Sequence, residues 1–383
     1  MKVYLDNAAT TRLDPRVMAR IKPYFSEHYA NASSIHALGQ EAFSALKKAK
    51  KIVAKNINGA ADNVIFTSGA TEANNLIIKG IARANRERGS KIIVSAIEHP
   101  CILESARELA QEGFNVKFIA PDKFGLIKPA ALKRLIDKKT ILVSVMAVNN
   151  EIGTIQDIAA LAKIAHQYGA HFHTDAVQAV PYLKLDVKKM GLDALSLSAH
   201  KFYGPKGVGL AYLDRNIKLK PLLVGGGQED GRRAGTYNLP GIIGLAYALD
   251  LAYKERKAYL QKVRALRDHL WRRVKKEIPR VKVNGSLSVR VAANLNLMFH
   301  SVEGEAILLD LSSQGVYVST GSACSASDLK ASYVLKAIGL DKNNLNSNIR
   351  FSLGRFNTRA EIAYTVDCLK KSIARLRSFT PIK

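Results

Sequence analysis

Short apolar runs that alternate with amphipathic stretches constrain this chain more than any other feature. KIIVSAI (91–97), VKFIA (116–120), TILVSVMAV (140–148), AHFHTDA (170–176), ALSLSAH (194–200) and VGLAYLD (208–214) read as strands bounded by loops. Between them, ILESARELAQEG (102–113) and IAALAKIAHQYG (158–169) follow helical patterns, each closed by a glycine in the manner of a C-terminal cap. Such alternation predicts an α/β fold with a mostly parallel sheet covered by helices. A long basic helix over 242–277, ending before Pro279, would carry the chain from a large domain into a smaller C-terminal one. In the tail, 359–377, the residues Ile362, Val366, Leu369, Ile373 and Leu376 form one helix face suited to packing on that small domain.

Composition narrows the class. A chain of 383 residues, 47% hydrophobic and 23% charged, reads as globular and soluble. No apolar run approaches the ~20 residues of a membrane span. MKVYLDNAATT at the N-terminus lacks an apolar signal region, so secretion is not expected. The cysteines Cys101, Cys324 and Cys368 form no disulfide framework and lack metal-ligand spacing, which favours a reducing cytoplasm. Lys and Arg exceed Asp and Glu by 58 to 32, a net +26 that suits nucleic acid, anionic membrane surfaces or acidic proteins. The basic residues are spread out, however. Their densest clusters, KKAKK (47–51) and RRVKK (272–276), read as helices with apolar residues interleaved, so charge alone identifies no partner.

Ligands of open parallel sheets bind beyond the carboxyl ends of the strands. The unusual polar residues fall there: Glu98–His99–Pro100, Asn149–Asn150–Glu151, Asp175 with Gln178, and Lys201 after ALSLSAH. Alternation along that last strand puts Ser196, Ser198 and His200 on one face. Lys201 is either a surface residue or a Schiff-base lysine beside the anion-binding Ser198 and His200, as a carbonyl cofactor bearing a phosphate requires. A strand running into Ser68–Gly69–Ala70–Thr71 and then a helix offers a second phosphate element. The plainer alternative is an ordinary turn with Thr71 as N-cap. Asp175 would hold a pyridine nitrogen protonated, or cap a helix near Val177. His171, His173 and Asp175 alternate on one face and suggest chelation, but no other motif supports a metal. Finally, STGSACSAS (319–327) sets Cys324 in a loop of small residues, unlike a structural core cysteine.

Together, YLDNAATT (4–11), SSIHALGQEA (33–42), TSGATEANN (67–75), EHP (98–100), NNEIG (149–153), TDAVQ (174–178), SAHKFYGPKG (198–207), GGGQEDGRRAGTYN (225–238), STGSACSAS (319–327) and IRFSLGRF (349–356) resemble the cysteine desulfurases. These are pyridoxal phosphate enzymes of the class V aminotransferase group, and the resemblance spans the chain in order. It implies the aspartate aminotransferase-like fold type I: a large domain with a seven-stranded sheet over 15–255, and a smaller α+β domain from 1–14 and 256–383 carrying the Cys324 loop. The loop is similar to the branch with a long, mobile cysteine loop.

The resemblance assigns Lys201 as the Schiff-base lysine, Asp175 to the pyridine nitrogen, Gln178 to the phenolic oxygen and Asn150 to the ring and substrate region. His99 would stack on the ring and assist proton transfer. Ala70, Thr71, Ser198 and His200 would bind the phosphate, joined by Thr236 of a neighbouring subunit in a homodimer, and Arg350 would bind the substrate carboxylate. Cys324 would take sulfur from L-cysteine as a persulfide, leaving L-alanine, and pass it to an iron–sulfur scaffold or a tRNA-thiolation enzyme. A helix from Asp328 would help lower its thiol pKa. Cys101 is a rival thiol. No metal is expected beyond a transient iron–sulfur contact at Cys324. Departures from the family pattern occur at Tyr29–Ala30–Asn31–Ala32, Asp230 and Tyr237. Alternatives are a selenocysteine lyase or an aminotransferase of the same group, or a basic nucleic-acid-binding protein on this fold. The last lacks a recognised binding motif, and direct nucleic-acid binding is not expected.

Overall fold

The computed structural model describes residues 1–321 and 331–379. The chain opens with β1 (Val3–Tyr4), α1 (Pro15–Ile21) and α2 (Ala37–Ile57). Strands and helices then alternate through β2 (Val64–Thr67), α3 (Ala70–Ala84), β3 (Lys91–Ser95), α4 (Pro100–Gln111), β4 (Asn115–Ile119), α5 (Pro129–Leu135) and β5 (Thr140–Ser144). The series continues with α6 (Ile158–Gln167), β6 (His171–Asp175), α7 (Val187–Met190), β7 (Ala194–Ser198) and β8 (Gly209–Leu213). These strands form a seven-stranded sheet in the order β2-β8-β7-β6-β5-β3-β4. Only β8 runs against its neighbours β2 and β7.

Alternation along the strands divides the apolar residues between two cores. Val64 and Phe66 of β2 pack with Leu46 and Val53 of α2, whereas Ile65 packs on the other side with Ile77 of α3 and Ile102 of α4. Several expected strands stop early. β5 ends at Ser144 and β7 at Ser198, because the chain turns out of the sheet where it meets the site. His200 therefore lies in a one-turn 3₁₀ segment, Ala199–Lys201, and not on the face of a strand with Ser198.

The single long helix expected over 242–277 is two helices, α8 (Leu239–Lys254) and α9 (Arg256–Glu277). The break falls at Glu255, whose carboxylate pairs with Arg16 and Arg355. It lets the apolar α8 join the core on the α2 side of the sheet while α9 turns its buried Val263, Leu266, Leu270 and Val274 to a separate core. Arg272, Lys275 and Lys276 of the basic cluster are on the exposed side of α9.

The remaining elements are β9 (Val281–Val283), β10 (Asn294–Phe299), α10 (Gly304–Ser313), β11 (Val316–Tyr317), α11 (Tyr333–Ala337), β12 (Asn348–Ser352) and α12 (Arg359–Ser378). β12, β10 and β9 make an antiparallel sheet, and β1 pairs in parallel with β11. Their core includes Leu297, Phe351 and the expected α12 face, with Ile362, Val366, Leu369 and Ile373 buried and Leu376 partly so. Asp328, the expected start of a helix, lies outside the described residues; within them α11 starts at Tyr333, where the Ser332 hydroxyl caps it by accepting the Leu335 N–H at 3.1 Å.

Residues 5–14 stitch the two layers. The Leu5 carbonyl accepts from Ser352 N at 2.7 Å, and Asn7 N donates to the Ser352 carbonyl at 3.1 Å. Further along, Thr11 N donates to the His200 carbonyl at 2.9 Å and Asp14 N to the Tyr203 carbonyl at 3.0 Å. Asp14 then caps α1 through Arg16 N at 3.0 Å, pairs with the Arg16 side chain at 2.9 Å and takes a further ion pair from Arg355. The Arg16 side chain, foremost, holds the Asp14 carboxyl down at about 2. Asp14→Asn leaves these guanidiniums without their shared anion, and the expected loss is about 1–3 kcal/mol. Urea denaturation at neutral pH measures it; an unchanged midpoint would show that the hub contributes nothing.

Candidate active site

At the carboxyl end of β6, the Asp175 side chain is buried. Its Oδ2 accepts from Asn74 Nδ2 and its Oδ1 from Val177 N, both at 2.9 Å. Ser196 is its register partner on β7, and the Ser196 hydroxyl is buried without a partner. Asn74, on α3, was not singled out from the sequence. Its only signal there is the TSGATEANN string.

Lys201 leaves the 3₁₀ segment after β7, and its Nζ donates to the carbonyls of Ala8 and Ala9, each at 2.6 Å. Gln178 Nε2 donates to the same Ala8 carbonyl at 2.8 Å. The N-terminal segment thus brings the lysine and glutamine together through backbone oxygens that no side-chain motif reveals. Ser198, at the end of β7, is buried. His200 is partly buried with Nδ1 3.1 Å from Thr10 Oγ1. Burial first, then the charges of Lys201 and Lys206, push His200 down to about 4.

Ala70 and Thr71 are the first residues of α3. The N-cap is Gly69, not Thr71, and no side chain caps the helix. The turn is tight against the sheet: a Cβ on Gly209 of β8 would lie 2.6 Å from the Gly69 carbonyl carbon, so only glycine fits. Thr236 is on an exposed loop and lines a cleft with Thr67, Ser68, Gly207, Arg233 and Tyr237. The family departures have local partners: Asp230 pairs with Arg215 at 3.0 Å, and the Tyr237 hydroxyl accepts the Glu229 N–H at 3.0 Å.

Arg350 of β12 is 2% exposed. It donates to Asp6 Oδ1 at 2.8 Å and to the Asn150 carbonyl at 3.0 Å, while its Nε has no partner. Asn150 Oδ1 is likewise buried and unpartnered. Two wholly buried carboxyls border this region. Glu98 accepts from Met146 N at 2.6 Å, and burial, then the Asp175 charge, raises it well above the ordinary range. Glu151 accepts from the Ser332 hydroxyl at 2.5 Å and is raised by burial, against the pull of Ser332 and Arg350. His99 caps α4, accepting Cys101 N on its Nδ1 at 3.2 Å. Cys324 lies outside the described residues. His171 meets Arg88 at 3.0 Å and His173 meets Ser144 at 2.9 Å, so neither turns with Asp175 toward a common ligand. Among the described residues, no group of His, Cys, Asp and Glu could hold a metal ion, and no helix is long and apolar enough to cross a membrane.

A buried carboxylate and a lysine at the ends of adjacent strands, with a buried arginine on the second sheet, describe a class of enzyme, and the comparisons agree with it. The aminotransferase class-V family model matches residues 3–364, and the chain belongs to that family. The cysteine desulfurase IscS of Dictyoglomus turgidum is 46% identical over 100% of this chain and 97% of its own. A solved NifS-like protein superposes with a TM-score of 0.93 at 36% identity, covering 98% of this chain and 100% of its own. A structure titled SspA in complex with cysteine gives 0.82 at 34% identity, over 93% of this chain and 100% of its own. The activity is that of a pyridoxal phosphate-dependent cysteine desulfurase.

One buried and one partly buried histidine impose a pH dependence. Burial pushes His173 down to about 3, and His200 falls to about 4. Folding therefore favours their neutral forms. The stability they contribute is full above the ordinary 6.5 and is lost as pH falls from there toward the folded values. In His173→Asn, thermal midpoints measured from neutral pH down to about 4 are expected to fall less steeply than in the wild type. Parallel curves would remove His173 from the acid sensitivity.

Proposed function

We propose that Lys201, Asp175 and Arg350 form the centre that converts L-cysteine to L-alanine, and that Cys324 takes the sulfur as a persulfide. The carrying observation is that segment 6–9 gathers Lys201, through the Ala8 and Ala9 carbonyls, and Arg350, through Asp6, while Asp175 is buried at the end of β6, next to the strand that leads into Lys201. The unpartnered Ser196 Oγ, Asn150 Oδ1 and Arg350 Nε fit a polar ligand held at several points.

Pyridoxal phosphate, when bound, supplies a ring that withdraws electrons from the substrate Cα. In this reading Lys201 holds its carbonyl carbon, Asp175 its nitrogen, Gln178 its phenolic oxygen and Asn150 the ring region. His99 stacks on the ring. Ala70, Thr71, Ser198 and His200 hold the phosphate, and α3 suits it because its first N–H groups have no side-chain cap. Arg350 turns its remaining Nε toward the substrate carboxylate, which fixes Cα beside Lys201. The Lys201 amine would take the Cα proton. The Cys324 thiolate attacks the substrate sulfur: an S–S bond forms, the Cβ–S bond breaks, and its electron pair stays on the carbon fragment, which gains protons to become alanine. The persulfide then passes sulfur to an acceptor protein, either an iron–sulfur scaffold or a tRNA-thiolation enzyme, in the cytoplasm. The large domain is 15–255 and the small one 1–14 with 256–383, a division supported by the separate cores.

The working unit is a homodimer in which Thr236 reaches the neighbouring phosphate. Phe25, Tyr29, Ile35, Leu38 and Val224 are exposed, and residues 32–43 share a cleft with 227–237, beside the Thr236 loop. Light scattering should give twice the chain mass of 41.9 kDa, and Ile35→Asp should shift it toward one. A wild-type monomer would remove Thr236 from the site.

The activity test incubates the cofactor-loaded protein with L-cysteine and a reductant, measuring alanine and sulfide. Equal amounts are expected, lost in Cys324→Ala while the cofactor stays bound. Products unaffected by that change would exclude Cys324. No products from cofactor-loaded wild type would favour another class V activity.

A further inference from the structure

We propose that Cys101 and Asn74 are positioning residues that join His99 to Asp175, and that Cys101 holds His99 in the tautomer protonated on Nε2. The inference rests on the reading of His99 and Asp175 as the side chains that flank the cofactor ring.

The hydrogens of this network can be assigned from chemistry. The Asp175 carboxylate only accepts, so the nitrogen of the Asn74 amide must face it, at 2.9 Å. Asn74 Nδ2 has a second hydrogen, and Cys101 Sγ lies 3.3 Å from it. The sulfur accepts there and has its own hydrogen to give. His99 Nδ1 is 3.1 Å away. The same Nδ1 also accepts the Cys101 backbone N–H at 3.2 Å, as the cap of α4. A ring nitrogen that accepts an N–H carries no hydrogen of its own, so neutral His99 is protonated on Nε2. The direction of donation is the same throughout, from the Asn74 amide to the thiol and from the thiol to the imidazole. Asn74 Oδ1 is left buried without a partner, which shows that the amide is turned to serve Asp175 and Cys101 and not its own oxygen.

Two consequences follow for the reaction. His99 has a proton to donate from Nε2 and no free basic nitrogen on that side, so removal of the Cα proton falls to Lys201. With its hydrogen directed at His99 Nδ1, the Cys101 thiol orients His99 and does not compete with Cys324 for sulfur.

The test is nitrogen-15 NMR of the cofactor-loaded protein labelled at histidine, with His99 assigned by its loss in His99→Gln. A pyrrole-type Nε2 and a pyridine-type Nδ1 are expected near pH 7.5. In Cys101→Ala the Nδ1 signal should move, and kcat should fall about fivefold, the scale of one lost hydrogen bond, with KM nearly unchanged. Cys101→Ser, which keeps a donor, should restore most of both. A proton on Nδ1 in the wild type would overturn the tautomer. A Cys101→Ala protein with wild-type kcat and an unmoved Nδ1 signal would overturn the role of the thiol. If the tautomer is as expected but no alanine forms from L-cysteine, the functional reading fails and the network assignment stands.

Discussion

Everything at the site depends on segment 5–14, which turns at residues 7–9. A buried backbone must have its N–H and C=O groups met, and this segment meets them from both layers. Its early residues bond to β12, and its later ones to the turn that follows β7. Between those anchors, the Ala8 and Ala9 carbonyls hold Lys201, and Asp6 holds Arg350. One short piece of chain therefore sets the separation between the lysine on the large sheet and the arginine on the small one. Asp14 closes the seam by gathering Arg16 and Arg355.

The electrostatics follow from how each charge is met. The Asp175 carboxylate accepts from two N–H donors, and Lys201 faces carbonyl oxygens. Glu98 and Glu151 are pushed toward their neutral forms by burial. The Asp175 charge contributes to the rise at Glu98, since a like charge nearby disfavours a second anion. Glu151 also ties Ser332, and so the start of α11, to the chain that follows β5. Through Ser319, whose backbone pairs with that of Arg350, the chain entering the Cys324 segment starts beside the expected carboxylate site.

Much of the fold was legible locally. Each expected strand occurs, because a short apolar run bounded by polar turns can be buried in few other ways. The α12 face was readable for the same reason. The break at Glu255 was not, since 242–277 is an unbroken helical pattern and the carboxylate's partners, Arg16 and Arg355, are remote in sequence. Strand ends were overestimated where TILVSVMAV and ALSLSAH stay apolar past the point at which the backbone leaves the sheet.

What the amino-acid sequence determined alone was the chemistry: a lysine after ALSLSAH and a carboxylate after AHFHT, both at element ends where parallel sheets bind ligands, and an arginine in IRFSLGRF. Tertiary structure decided how those groups are held. Backbone carbonyls such as those of Ala8 and Ala9 carry no side-chain signature. Asn74, Cys101 and Asp175 become neighbours only when α3 and α4 pack on one face of the sheet beside β6. Side-chain periodicity reports which residues are buried, but hydrogen-bond partners far apart in the chain are set by the packing that brings them together.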